Sequence, residues 1–254
     1  MSRRPYLTHP SSRNGRGRPR SLLGRAGLWH CHSWFITAVS ILLLAACGGG
    51  GGDPPPPPTS YAVRSAWTQL LTTAHSWTLT GTAPNSQQFT ITMDFAPIPD
   101  GAFQVNGVMA RRVQETLTIA SGGQSDSAAQ TIYLDPTSLA VIGFDEGGTC
   151  SVATSNSALP DSASIGSGGP LFGLSDLVGC TSTAAVGGTT AGSWLLETVS
   201  GYALMCWNLV SMDLAGTQVA SMSTCFEIGA DGTVGGKARL TLSAAGVDVT
   251  ASNF

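Results

Sequence analysis

Past position 60 of this 254-residue chain, the residues whose type and place could do chemistry are two glutamates, one histidine and four cysteines. Glu115 shares its alternation with Val113, Leu117 and Ile119, and Glu197 shares its own with Leu195 and Val199. A carboxylate turned towards a core has its pKa raised, and a facing pair can divide acid and base roles in glycoside hydrolysis. The competing expectation is that each carboxylate pairs with a scarce arginine, or that its strand face meets water. A Ser-His-Asp arrangement would have to use His75, whose place near a helix end suits interaction with the helix dipole instead. Gly173-Leu174-Ser175-Asp176-Leu177 lacks the final glycine of a nucleophile elbow. Catalysis therefore rests on Glu115 and Glu197 alone, and binding or scaffolding is the favoured expectation.

The cysteines read as staples. Cys150, Cys180, Cys206 and Cys225 form an even set with no C-x-x-C, and their spacing does not resemble a zinc knuckle, so neither a metal nor a cofactor is expected. Three pairings are open to four cysteines, and strand register favours one. If Ala203–Met212 and Thr217–Ile228 form a hairpin around Leu214-Ala215-Gly216, opposed residues have numbers summing to about 431, as those of Cys206 and Cys225 do. Cys150–Cys180 is then the second bridge.

The elements that must hold these residues are mostly strands. Phe89, Ile91, Met93 and Phe95 alternate with Thr90, Thr92 and Asp94, and Ala238, Leu240 and Leu242 alternate with Lys237, Arg239 and Thr241. Trp77 and Leu79 alternate with threonines in the same way. This is the pattern of antiparallel sheets with one wet face, and it predicts a mainly β domain, barrel or sandwich, over residues 61–254. One helix is expected first, capped by Ser60 and running to about His75, with Val63, Trp67, Leu70 and Leu71 on one stripe. Between Cys150 and Gly192 the alternation dissolves into Gly, Ser, Ala and Pro, which reads as a long loop tied by a disulfide.

Charge divides the chain. Seven of its twelve cations precede Cys47 with no acid among them, while five cations and all fifteen acids lie after it, so the later part carries a net −10. That surplus excludes nucleic acid as a partner, because replacing phosphate counterions needs Lys and Arg. Trp34 to Ala46 is a run of 13 residues with Thr37 and Ser40 its only polar members, too short for the ~20 residues of a membrane-spanning helix. Arginines before it and small residues at its close give the layout of an export signal. The close, Leu44-Ala45-Ala46-Cys47, resembles the lipobox of bacterial lipoproteins. The resemblance implies cleavage after Ala46 and acylation of Cys47 by palmitate-like chains, several of which anchor stably where one is marginal. Gly48, where an inner-membrane retention signal would place Asp, implies the outer membrane.

The residues after Cys47 suit a tether. Gly48 to Gly52 form a swivel, and after Asp53 the prolines Pro54 to Pro58 form a stiff rod of roughly 15 Å. The expected organisation is a signal peptide over 1–46, a lipidated tether over 47–60 and a β-rich domain over 61–254. With 33 residues ahead of Trp34 and no Met between Met1 and Met93, translation is expected to begin downstream of Met1. The later part resembles the uncharacterised exported β-rich lipoproteins of proteobacteria, which implies no activity. The expected protein is an envelope lipoprotein that binds or scaffolds a protein or small molecule. A carboxylate hydrolase and a carrier with an apolar interior are the alternatives.

Overall fold

The structure is a computed structural model, and it describes residues 58–83, 86–244 and 246–254. The export signal, Cys47 and the glycines of the tether lie outside the described residues. One helix, α1 (Val63–Thr72), is followed by twelve strands: β1 (His75–Thr82), β2 (Gln88–Ala102), β3 (Met109–Ser121), β4 (Gln124–Leu134), β5 (Val141–Glu146) and β6 (Thr149–Asn156) make the first half. The second half is β7 (Gly168–Leu177), β8 (Val186–Val199), β9 (Tyr202–Asp213), β10 (Gln218–Ile228), β11 (Val234–Ala244) and β12 (Val247–Ser252). Each strand pairs antiparallel with its sequence neighbours, and β1 pairs with β12, so the sheet closes into an up-and-down barrel. Closure leaves no sheet edge, which removes the hazard of edge-to-edge pairing. Among the described residues the whole buried core and both disulfides lie inside 61–254, so this domain carries what it needs to fold on its own.

Alternation does what it promised on β1, β2, β3 and β11. Trp77, Leu79, Phe89, Ile91, Met93, Phe95, Val113, Ala238 and Leu240 are all buried inside the barrel. Their outward neighbours Thr78, Thr80, Gln114 and Gln88 are exposed. On these strands the outer wall is Thr and Gln, unlike the apolar band of a membrane-spanning barrel. Among the described residues no helix is long and apolar enough to cross a membrane.

The helix closes one end of the barrel. Val63, Ala66, Trp67, Leu70 and Leu71 are buried in the same core as the inward strand residues. It is shorter than its apolar stripe suggests and is not capped by Ser60: its N-cap is Ala62, with no side-chain cap. The backbone ahead of it is already committed to rim loops, since Tyr61 N–H donates to Ala163 O (2.8 Å) and Ala62 N–H to Ala230 O (2.9 Å). At its other end Thr73 is extended, and His75 already pairs with Phe95 on β2. Gly232 lets the helix sit this close. Its φ is +86°, and a Cβ there would lie 2.6 Å from both Ala62 O and Ser65 Cβ.

The stretch between Cys150 and Gly192 is more regular than its composition. It holds β7, the rest of β6 and the first part of β8, so the long loop shrinks to a crossing between Asn156 and Gly168 and a turn between Leu177 and Val186. Gly192 is small because Phe172, its partner on β7, lays its ring across it: a Cβ on Gly192 would meet that ring at 2.5 Å.

Both disulfides are formed, and both belong to small cores on the outer wall. Cys206 opposes Cys225 across β9 and β10 as the register arithmetic requires, with Cα atoms 3.9 Å apart. They cluster with Leu204 and the half-buried Leu195, Val199, Tyr202 and Phe254. Cys150–Cys180 (Cα atoms 4.9 Å apart) ties β6 to the β7–β8 turn. It packs with Phe103, Val105, Ala110, Tyr133 and Leu177, where the β2–β3 loop folds back over the outer wall. Such bridges stabilise by roughly 2–4 kcal/mol, mainly by restricting the unfolded chain.

Candidate functional site

The two glutamates do not meet. Glu115 points into the barrel on the face of Val113 and is 2% exposed. Its Oε2 accepts a hydrogen bond from Gln130 Nε2, the residue opposite it on β4, while its Oε1 is buried with no partner. Burial pushes its pKa up from 4.5 to about 7, the Gln130 bond works against this, and the negative charge of Glu146 adds to it. Glu197 is on the outer wall. Trp194 and Leu196 are the inward residues of that strand, and Leu195 and Val199 belong to the outer patch around Cys206–Cys225. Its carboxylate forms an ion pair with Arg239, one of the five cations of the domain, and its Oε1 is 3.3 Å from Cys206 Sγ. A carboxylate pair for hydrolysis is therefore not assembled: one member is sealed inside the wall and the other is neutralised outside it.

His75 joins neither. It begins β1, stacks on Trp77 with ring centres 5.4 Å apart, and holds Nε2 3.2 Å from the carbonyl oxygen of Gln69 in the last turn of α1. Two clusters bring a carboxylate near two sulfurs, Asp145 with Cys150 and Cys180, and Glu197 with Cys206 and Cys225. In both, the sulfurs are bonded to each other and offer no thiolate to a metal.

At the end away from α1 the lumen admits water. Leu117, Leu209, Met222 and Val249 face inward yet are only partly buried, and inward-facing Ile119 is 38% exposed. A side chain inside a closed sheet reaches water only through the open end. The wall across β6 to β9 is polar there. Ser151 donates to Asp176 (2.6 Å), Thr190 donates to the other Asp176 oxygen (2.9 Å), and Thr190 and Ser211 hydroxyls are 2.9 Å apart.

A ligand-sized concave feature lies at the opposite, stoppered end. A cleft of about 740 Å³ runs between α1 and the rim loops, within the ~300–1,000 Å³ range of small-molecule sites. Its apolar wall is Trp67 from α1, Leu139 and Val141, Leu159, and Leu171 with Phe172. The rim loops are held rigidly. Asp135 accepts from Thr137 N, Ser138 N and Ser138 Oγ, bonds that hold its pKa below the usual carboxylate range. The Asn156 side chain both accepts from Val141 N (3.1 Å) and donates to Val141 O (2.9 Å). Arg64 Nε donates to Leu159 O (3.0 Å), and its guanidinium pairs with Asp161 at 2.8 Å.

A second cation lines this cleft. Arg111 stands on β3, two residues before Val113 and so on the inward face, and is half-buried. The chain alone offered this signal, a cation on the parity of core residues, but the rim loops that make the cleft carry no periodicity to announce them.

Fold and site together define a closed twelve-stranded up-and-down barrel, stoppered by its N-terminal helix, with a ligand-sized cleft beside the stopper. In comparisons with protein-family models, with curated proteins and with solved structures, the chain matches none.

Proposed function

We propose that this protein is an envelope lipoprotein, anchored in the outer membrane through Cys47, whose barrel binds a small molecule without transforming it. The observation that carries the binding half is the cleft beside α1, concave, largely apolar and rigidly framed. Separation of Glu115 from Glu197 supports binding over hydrolysis. The anchoring half rests on Leu44-Ala45-Ala46-Cys47 and the glycine–proline tether. A lipid at Cys47 and a domain that carries its own disulfides suit an oxidising compartment.

A second reading has its own support. The half-exposed inward Leu117, Leu209, Met222 and Val249 favour an apolar guest entering the lumen from the end away from α1.

Anchoring is tested by labelling cells with a palmitate analogue. The wild-type chain should carry the label and fractionate with the outer membrane, and Cys47→Ala should carry none. Equal labelling of the two would overturn the anchor.

A further inference from the structure

The cleft beside α1 is electrostatically at odds with the rest of the domain. The domain carries five cations against fourteen acids, yet no carboxylate lines this cleft, and two arginines do. Four of the five cations are engaged. Arg64 pairs with Asp161, Arg112 Nε donates to Pro99 O (2.7 Å), Lys237 Nζ donates to Asn253 O (3.3 Å), and Arg239 pairs with Glu197. Among the cations of the described residues, only the Arg111 side chain has no hydrogen bond and no ion pair. It is half-buried, and its neighbours in the cleft include Trp67, Leu139 and Leu159.

An uncompensated guanidinium beside an apolar surface is costly to keep, because partial burial strips water from a charge without supplying a partner. It presents a planar fork of donors that matches a carboxylate or a phosphate with two parallel bonds. One free cation calls for one negative charge, and the apolar walls call for a hydrocarbon body. Resting on the binding reading above, we propose that the cleft takes a monoanionic amphiphile, with its acidic head on Arg111 and its apolar body against Trp67, Leu159 and Phe172. The repulsive field of a −9 domain works against an anion but is outweighed locally. Arg111 is the local exception, and hydrocarbon burial supplies affinity independent of charge.

The test is calorimetric titration of the domain, residues 58–254, with dodecanoate, dodecan-1-ol and dodecylammonium, the two ions below their micelle concentrations and the alcohol below its solubility limit. Dodecanoate should bind at least tenfold more tightly than dodecanol, and dodecylammonium should bind weakest. Arg111→Gln should remove the preference for dodecanoate over dodecanol, with an unchanged denaturation midpoint showing that the variant is folded, and a preference that survives the substitution overturns the assignment. Arg111→Lys should restore part of the preference, because it returns the charge but not the fork. If wild type binds dodecanoate and dodecanol equally, or dodecylammonium best, the anionic assignment is wrong and the binding reading survives. If none of the three binds, both are wrong.

Discussion

Trp207→Ala should cost the domain about 4 kcal/mol, the largest loss of any single truncation in this barrel. Trp207 is 1% exposed and stands at the meeting point of stopper and wall. Its ring lies edge-on to Trp67 of α1 at 5.3 Å and to Phe172 at 6.1 Å, with Phe144 at 6.1 Å and Phe95 at 6.5 Å. Truncation removes the burial of a large ring and leaves a hole lined by rings from four separate elements, so the wall cannot collapse onto it. Trp67 loses its partner in the same step, so α1 should loosen before the strands do. The indole N–H of Trp207 is buried without an acceptor, which lowers the value of the native residue. Trp207→Phe should therefore cost less than half as much. Denaturant midpoints at unchanged slope measure both. A loss below ~1 kcal/mol for Trp207→Ala would mean that the interior is not packed around this ring.

Glu115→Gln should stabilise the domain by roughly 3 kcal/mol at pH 8 and by almost nothing at pH 4. The sign comes from the direction of the shift. Burial raises the native pKa of Glu115 from 4.5 to about 7, so between those values the native state holds a proton that the unfolded chain has released. Where the native state binds more protons, stability falls as pH rises, so the native domain loses ground from about pH 4.5 to about pH 7 and stays at that lower level above. Glutamine keeps the shape, can accept the Gln130 bond and does not ionise. Unfolding curves of both proteins at the two pH values check this, and an equal gap at pH 4 and pH 8 would show that Glu115 ionises freely in the native state.

Such a carboxylate is the kind of residue that alternation can find. Val113, Glu115 and Leu117 share one face in the sequence and in the barrel, and the same regularity aligned Cys206 with Cys225. Glu197 shows where alternation fails. Trp194, Leu195 and Leu196 are apolar on both parities because the outer wall carries its own hydrophobic patch around Cys206–Cys225, so periodicity cannot say which face is inside. Strand β7 was hidden for a related reason. Its Gly168-Gly169-Pro170 start and Gly173 lack β-forming side chains, and its pairing is supplied by β6 on one side and the longer β8 on the other. The closure of β1 onto β12 and the cleft beside α1 depend on contacts between distant segments, which no local pattern encodes. Arg111 was visible only as a cation out of place.

The claim on which the functional account turns is that the guest sits beside α1. Hydrogen exchange of the domain, measured peptide by peptide while dodecanoate is added, tests it most directly, since exchange reports local opening segment by segment. The account predicts protection gained over residues 63–72, 136–141 and 156–159, with the hairpin turns at 122–123 and 214–217 unchanged. Protection confined to the far end, over Leu117, Leu209 and Met222, would place the guest in the lumen and contradict it.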